Sequence, residues 1–278
     1  MGKTVGKRIT YDGIGLHTGQ RIRMALCAAN AGSGIVLVRT DQDGAHIPAR
    51  ATHVVATALS TTLGKNGATI QTTEHILAAA YGLGIGNLRI ELDGPEVPIA
   101  DGSALPFVHL LQEAGIVDAT AGHSPAQMEV AIRPPPIRRV EGEASIAIEP
   151  ASSLEIAYTI HFDHPKIGTQ QFVYHHSPAR FIEQIAPART FCLLKDVERM
   201  RAAGLARGGS LDNAVVLDET GILNAGGLRF PDECARHKVL DLLGDLALLG
   251  HPLHGRIEAV RAGHRLHVAL VRAIPSSP

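Results

Sequence analysis

The chain opens in short runs whose apolar and polar positions fit strands with one buried face. Lys3 to Tyr11 and Arg21 to Cys27 read as strands on either side of the turn Asp12-Gly13-Ile14-Gly15-Leu16-His17-Thr18-Gly19. The glycine spacing there is one residue too long for a dinucleotide fingerprint, and a strand follows where that motif needs a helix. Gly34 to Arg39, short segments between Ile47 and Ile70, and Asn87 to Leu92 continue the β pattern, broken at Asp41 to Gly44 and Gly64 to Gly67. The period turns helical at Gln71 to Gly82, where Thr72 or Thr73 supplies a cap and glycine the stop, so Glu74 and His75 fall in the first turn. Ser103 caps a second helix, Leu105 to Ala114.

Ala119 to Gln127 is small, polar and aperiodic, which predicts a linker with a boundary near residue 125 and domains at 1–125 and 126–278. Strand-like segments return at Glu129 to Arg133, Ile137 to Val140, Ala144 to Ile148 and Leu154 to Phe162. A helix around Pro178 to Ile185, an insert at 189–217, a helix from Pro231 to Leu249, a strand near Arg256 to Val260 and a helix from His264 to about Ala273 complete the chain. The halves share an element order without evident sequence identity. This predicts an α+β fold of two similar two-layer units, each a sheet with a helical layer.

The helix from Pro231 concentrates the candidate chemistry. At about 100° per residue, His237, Asp241 and Asp245 share one narrow stripe, opposite Val239, Leu240, Leu243, Leu246 and Ala247. His and Asp spaced i, i+4 can reach one metal ion, and a catalytic zinc wants a third protein ligand and an open position. Alternatively the stripe is the solvated face of an amphipathic helix. If the helical layers of the two halves face each other, His75 comes within reach of His237 and Asp241, with Glu74 beside a water that zinc would acidify. The positive end of its helix keeps the His75 imidazole neutral and able to ligate. His17 and His53 read as turn or structural residues.

Composition narrows the classes. A formal charge of −1 over 278 residues excludes a global field for nucleic acid. Cys27, Cys192 and Cys234 lack metal-knuckle spacing and point to a reducing compartment, so the cytoplasm is the expected location, with Cys192 and Cys234 read as small core residues. Met1 to Gly15 has no apolar core for a signal peptide, and no run is long enough to span a bilayer, so no stable membrane insertion is expected. The 15 histidines outnumber Phe, Tyr and Trp together, which raises the weight of metal chemistry.

Gly15-Leu-His-Thr-Gly19, Thr73-Glu74-His75, Pro98 to Ala104, Ala188-Arg-Thr-Phe191, Gly208-Gly-Ser210, Gly227-Leu-Arg-Phe230 and Arg236 to Asp245 together resemble the UDP-3-O-acyl-N-acetylglucosamine deacetylases, in unbroken order from about Lys3 to Arg272. These are the zinc amidases that commit Gram-negative bacteria to lipid A synthesis. The resemblance implies two α+β domains packed helices inward with the site between them. It implies His75, His237 and Asp241 as ligands of Zn2+ (Fe2+ being the alternative in the cell) and Glu74 as general base. His264 would be an acid or electrostatic partner oriented by Asp245, with Thr190 and Lys238 on the reacting amide or its oxyanion. Phe162 would stack on uracil. The insert would enclose the 3-O-acyl chain of the UDP-sugar among Phe191, Leu193, Ala206, Gly209, Ser210, Ala214 and Val216. A monomer is expected. The chain departs from the pattern at Leu193, where relatives carry a larger aromatic, at Arg261, where some carry lysine, and at Glu141 to Ser145, which lacks a diphosphate-binding lysine. On the residues alone, two rivals stay open: a zinc amidase for another acylated sugar or peptide, and a non-catalytic nucleotide-sugar binder with a structural metal.

Overall fold

The computed structural model describes residues 2–120 and 131–275. Its first half runs β1 (Lys3–Val5), β2 (Ile9–Ile14), β3 (Arg21–Cys27), β4 (Ile35–Arg39), β5 (Ala45–Pro48), β6 (Val54–Ala56), β7 (Thr62–Lys65), β8 (Ala68–Ile70), α1 (Glu74–Gly82), β9 (Leu88–Leu92), α2 (Leu105–Glu113) and β10 (Ile116–Asp118). Five of these strands form one sheet in the order β2-β3-β9-β4-β5, in which only the β4–β9 pair is parallel. β6, β7 and β8 make a small side sheet that supports the loop before α1, and β1 pairs with β10.

The second half runs β11 (Ile137–Glu141), β12 (Ala144–Glu149), β13 (Leu154–Phe162), β14 (Gly168–His175), α3 (Pro178–Arg180), β15 (Phe191–Leu193), α4 (Leu194–Ala202), β16 (Val215–Leu217), α5 (Glu233–Leu246), β17 (Gly255–Val260) and α6 (His264–Ala273). Its sheet has the order β11-β12-β17-β13-β14, again with one parallel pair, β13–β17. The two sheets therefore share one topology, the duplicated α+β architecture that the element order predicts. The insert is a β15-α4-β16 unit with its two strands parallel.

The helical layers face each other chiefly through α1 against α5, with α2 beside α1 and α6 beside α5. α5 is buried along its length except at Arg236 and Lys238, which rules out a solvated stripe for His237, Asp241 and Asp245. A small residue sets the closeness of the contact. A Cβ added at Gly244 of α5 would stand 2.1 Å from the Glu74 carbonyl oxygen of α1.

Several local expectations change. Lys3 to Tyr11 divides into two strands because the Gly6 and Lys7 amides turn back onto the Ala114 carbonyl. Thr73 stands at the start of α1 but its hydroxyl donates to the Thr61 carbonyl at 3.0 Å instead of capping the helix. β14 is an edge strand whose Gln170 and Gln171 interrupt the apolar alternation, so the pattern does not announce it. The linker at 119–127 and the boundary near 125 fall largely outside the described residues, as does the start of the strand expected at Glu129 to Arg133; there Ile132 forms a single bridge to Leu253.

Candidate metal centre and active site

Three buried side chains from the two halves converge at the α1–α5 contact. His75 comes from the first turn of α1, and His237 and Asp241 lie one turn apart on α5. Asp241 Oδ1 is 3.3 Å from His237 Nε2 and 3.9 Å from His75 Nε2, and all three donor atoms lie within 4.8 Å of one another. His237 Nδ1–H donates to the Ala188 carbonyl at 3.1 Å, which fixes the tautomer and leaves the Nε2 lone pair facing the cluster. Burial, followed by the neighbouring His237, pushes His75 down to about 3, so its imidazole is neutral. Burial works against ionisation of Asp241, but the Lys238 ammonium and the surrounding imidazoles hold its carboxyl well below the usual range. Lys238 Nζ donates to Asp241 Oδ2 at 2.6 Å and leaves Oδ1 to the two histidines. Two neutral imidazoles and one ionised carboxylate are the donor set of a catalytic divalent-metal site, so these residues fit such an ion.

Glu74 and His264 flank the same space. Glu74 Oε2 accepts the Thr61 amide at 3.0 Å, while Oε1 stands 3.9 Å from His264 Nε2. Burial pushes Glu74 up to about 7, against the pull of His264. A dication on the three donors would act in the opposite direction and favour the carboxylate. His264, the first residue of α6, donates Nδ1–H to Asp245 Oδ2 at 2.7 Å and turns Nε2 toward Glu74 and Asp241. Burial lowers its basicity, but Asp245 and then Asp241 outweigh burial and raise it to about 9, so this imidazole is cationic at neutral pH. A second acid-and-histidine group, Asp245 with His264 and His267, is also close enough to hold a metal. Both imidazoles there present Nδ1 to Asp245 Oδ2, at 2.7 and 2.9 Å, which marks a hydrogen-bonded network. His267 is sealed behind it, with its Nε2 2.8 Å from the Tyr158 hydroxyl.

A model of the UDP-3-O-acyl N-acetylglycosamine deacetylase family (LpxC) matches residues 2–276. The chain belongs to this family. Among curated relatives it is 50% identical to the UDP-3-O-acyl-N-acetylglucosamine deacetylase of Anaeromyxobacter sp. (strain Fw109-5) over 276 residues, covering 99% of this chain and 89% of the relative. It is 47% identical to the deacetylase of the same name from Myxococcus xanthus (strain DK1622), covering 99% of this chain and 87% of the relative.

The remaining residues implied by the LpxC resemblance are spread over the insert and its neighbours. Thr190 is tied down at both ends of its peptide, its amide donating to the Gly102 carbonyl and its carbonyl accepting from Val215. Phe191 bridges toward the centre, edge-on to His237 at 6.3 Å between ring centroids and edge-on to Phe162 at 5.2 Å. Leu193 is half-buried on β15, Val216 is buried on β16, and Ala214 is buried just before that strand. Gly209 and Ser210 lie in the turn after α4, Ser210 exposed, and Ala206 just before them has a left-handed backbone. That turn is pinned to the first half of the chain. The Arg207 and Gly208 amides donate to the His17 and Leu16 carbonyls, and a Cβ on Gly208 would meet the Gly15 carbonyl oxygen. The Gly15–Gly19 motif is therefore a seat for the insert. Beneath it, buried Glu96 accepts from His17 N, Thr18 N, Thr18 Oγ1 and Thr72 Oγ1.

Sequence reasoning missed Thr61, His267, Tyr158, Glu96 and Glu233. His267 had a readable signal, because His264 and His267 are three apart and share a helix face. Glu233 binds Arg189 through the Arg189 amide and guanidinium and so anchors the start of the insert to α5. Cys27, Cys192 and Cys234 are free thiols, and among the described residues no helix is long and apolar enough to cross a membrane.

Proposed function

We propose that this chain is a metal-dependent deacetylase that hydrolyses the N-acetyl group of UDP-3-O-acyl-N-acetylglucosamine to acetate and the free amine, the committed step of lipid A synthesis. The observation that carries the reading is the convergence of His75 and Glu74 from one half with His237, Asp241 and His264 from the other, inside a full-length family match. A structural metal would be closed by four protein ligands, whereas three protein donors with a carboxylate alongside favour hydrolysis.

His75, His237 and Asp241 would hold the metal, Zn2+ in this reading with Fe2+ as the cellular alternative. When bound, the ion supplies Lewis-acid polarisation of the amide carbonyl and lowers the pKa of a water beside it. Glu74 Oε1 is the carboxylate oxygen free to accept a proton from an attacking water, because Oε2 is already committed to the Thr61 amide. As the C–N bond breaks, the leaving nitrogen takes a proton from His264 Nε2 or from Glu74. Asp245 keeps His264 cationic and aimed. Lys238 spends one of its three donors on Asp241, and the others, with the Thr190 hydroxyl, serve the developing oxyanion. Phe162 stacks on uracil, and Phe191, Leu193, Ala206, Gly209, Ser210, Ala214 and Val216 line the acyl passage. The domain division 1–125 and 126–278, a cytoplasmic location and a monomeric state belong to the same proposal.

The test is an acetate-release assay on the acylated UDP-sugar beside its unacylated analogue, with and without chelator. Chelator-sensitive turnover that strongly prefers the acylated compound is expected. Turnover of neither, or of both alike, would sink the substrate assignment.

A further inference from the structure

The acid and base positions stand on different halves of the chain, and one buried threonine touches the carboxylate of each. Thr61, fully buried in the loop before β7, donates its amide to Glu74 Oε2 at 3.0 Å and its hydroxyl to Asp245 Oδ1 at 2.6 Å. Its Oγ1 also lies 3.2 Å from His264 Nδ1. Its carbonyl accepts from both the amide and the hydroxyl of Thr73, the residue immediately before Glu74. Backbone strain brackets the contact in the two loops that form it, before β7 and before α1. Leu59 has φ 63 and Thr72 has φ 58, and a left-handed backbone at a β-branched residue persists only where its surroundings over-determine it.

We propose that Thr61 is a positioning residue for the deacetylation. It holds Asp245 from the opposite half and so sets where His264 Nε2 points relative to Glu74. The Asp245 carboxylate then has both oxygens occupied, Oδ1 by Thr61 and Oδ2 by His264 and His267, and cannot swing. A fully desolvated carboxylate that lost the Thr61 donor would rotate to recover a partner, and His264 would follow it. The inference rests on the acid and base roles proposed above.

Thr61→Val removes only the hydroxyl and leaves the amide on Glu74. Its kcat on the acylated UDP-sugar should fall roughly tenfold or more, the loss of one hydrogen bond to a charged group, with KM and bound metal unchanged. Thr61→Ser should restore most of the rate. In a double-mutant cycle, Thr61→Val should add little to the defect of His264→Gln, because both act through the same imidazole. Nitrogen-15 histidine NMR gives a readout independent of turnover: the His264 Nδ1–H resonance, assigned by its absence in His264→Gln, should move in Thr61→Val and return in Thr61→Ser. If Thr61→Val fails to fold, Thr61→Ala replaces it against the same Ser control. A full rate in the variant, equal loss in the Ser variant, or fully multiplicative defects in the cycle would overturn the proposal. An inactive wild type would refute the deacetylase reading instead, and the resonance would still test the contact.

Discussion

Gly244→Ala adds a single methyl group where two helices carry the metal-ligand candidates, and two effects oppose each other there. In an open helix the change would stabilise by about 1 kcal/mol, because glycine loses more backbone entropy on folding. Here the new Cβ would lie 2.1 Å from the Glu74 carbonyl oxygen and 2.8 Å from its carbonyl carbon and Cα. All three are backbone atoms of the first turn of α1, so no side-chain rotation relieves the clash. Ordinary contact requires α1 and α5 to separate by roughly an ångström, and overpacking of that kind costs about 1–3 kcal/mol. The clash therefore cancels or exceeds the propensity gain. The larger consequence is chemical. Separating α1 from α5 carries Glu74 and His75 away from His237 and Asp241, and a displacement of about 1 Å in a catalytic array costs on the order of 100-fold. Purified Gly244→Ala should unfold at a similar or lower temperature than wild type, bind metal more weakly in a chelator competition, and lose far more activity than stability. A variant with wild-type kcat and metal affinity would show that the helix contact does not set the site.

Other consequences are sharper at single residues. His237→Ala and Asp241→Ala should lose bound metal by elemental analysis, whereas Glu74→Gln should keep it and lose about 10²- to 10⁴-fold in turnover; undiminished metal in both ligand variants would remove the assignment. Ala214→Asp, placed in the buried wall of the insert, should weaken the acylated substrate far more than its unacylated analogue, and equal loss would count against an acyl passage there. Burial pushes His176 down to about 4, so folded protein binds fewer protons than unfolded chain between that value and 6.5, and stability falls as pH drops through the interval. At pH 5 this linkage is at most about 2 kcal/mol, so wild type should lose up to that much more than His176→Leu between pH 7 and 5; metal release contributes to both and cancels, and identical losses would exclude the effect.

The fold was legible wherever one face of an element is buried. β3, β13 and α6 match their expected limits because the alternation or helical period of each runs its full length. β14 escaped because an edge strand need not alternate apolar residues, and the Thr73 cap failed because a tertiary partner, the Thr61 carbonyl, outbid the helix end. The same division holds in the site. His75, His237, Asp241 and Glu74 were visible through spacing and helix position, but α5 alone could not distinguish a solvated stripe from a buried one. Thr61 was invisible because its role depends on contacts 184 and 203 residues away in sequence, with Asp245 and His264. Lining an acyl passage or stacking on uracil likewise depends on space between elements, which neither periodicity nor motif spacing encodes.

The duplicated topology explains why the centre lies where it does. In each half one helix precedes the last strand of the sheet, α1 before β9 and α5 before β17, and one follows it, α2 and α6. The principal contact between the layers is thus between equivalent helices, as at a two-fold interface, where the same element meets itself. Such a contact would by itself be best filled with apolar residues, since a buried ion pair seldom stabilises more than a well-packed hydrophobic substitute. Here three carboxylates, Glu74, Asp241 and Asp245, are buried at that contact with Lys238 and His264 as their nearest cations. Equivalent helices have also diverged in what they contribute: α1 offers Glu74 and His75 from its first turn, while α5 offers His237, Asp241 and Asp245 along one stripe. A purely structural interface would not need this asymmetry, and stability alone would not favour so much buried charge. A reaction that needs a base on one side and an acid on the other, with a metal between them, requires both.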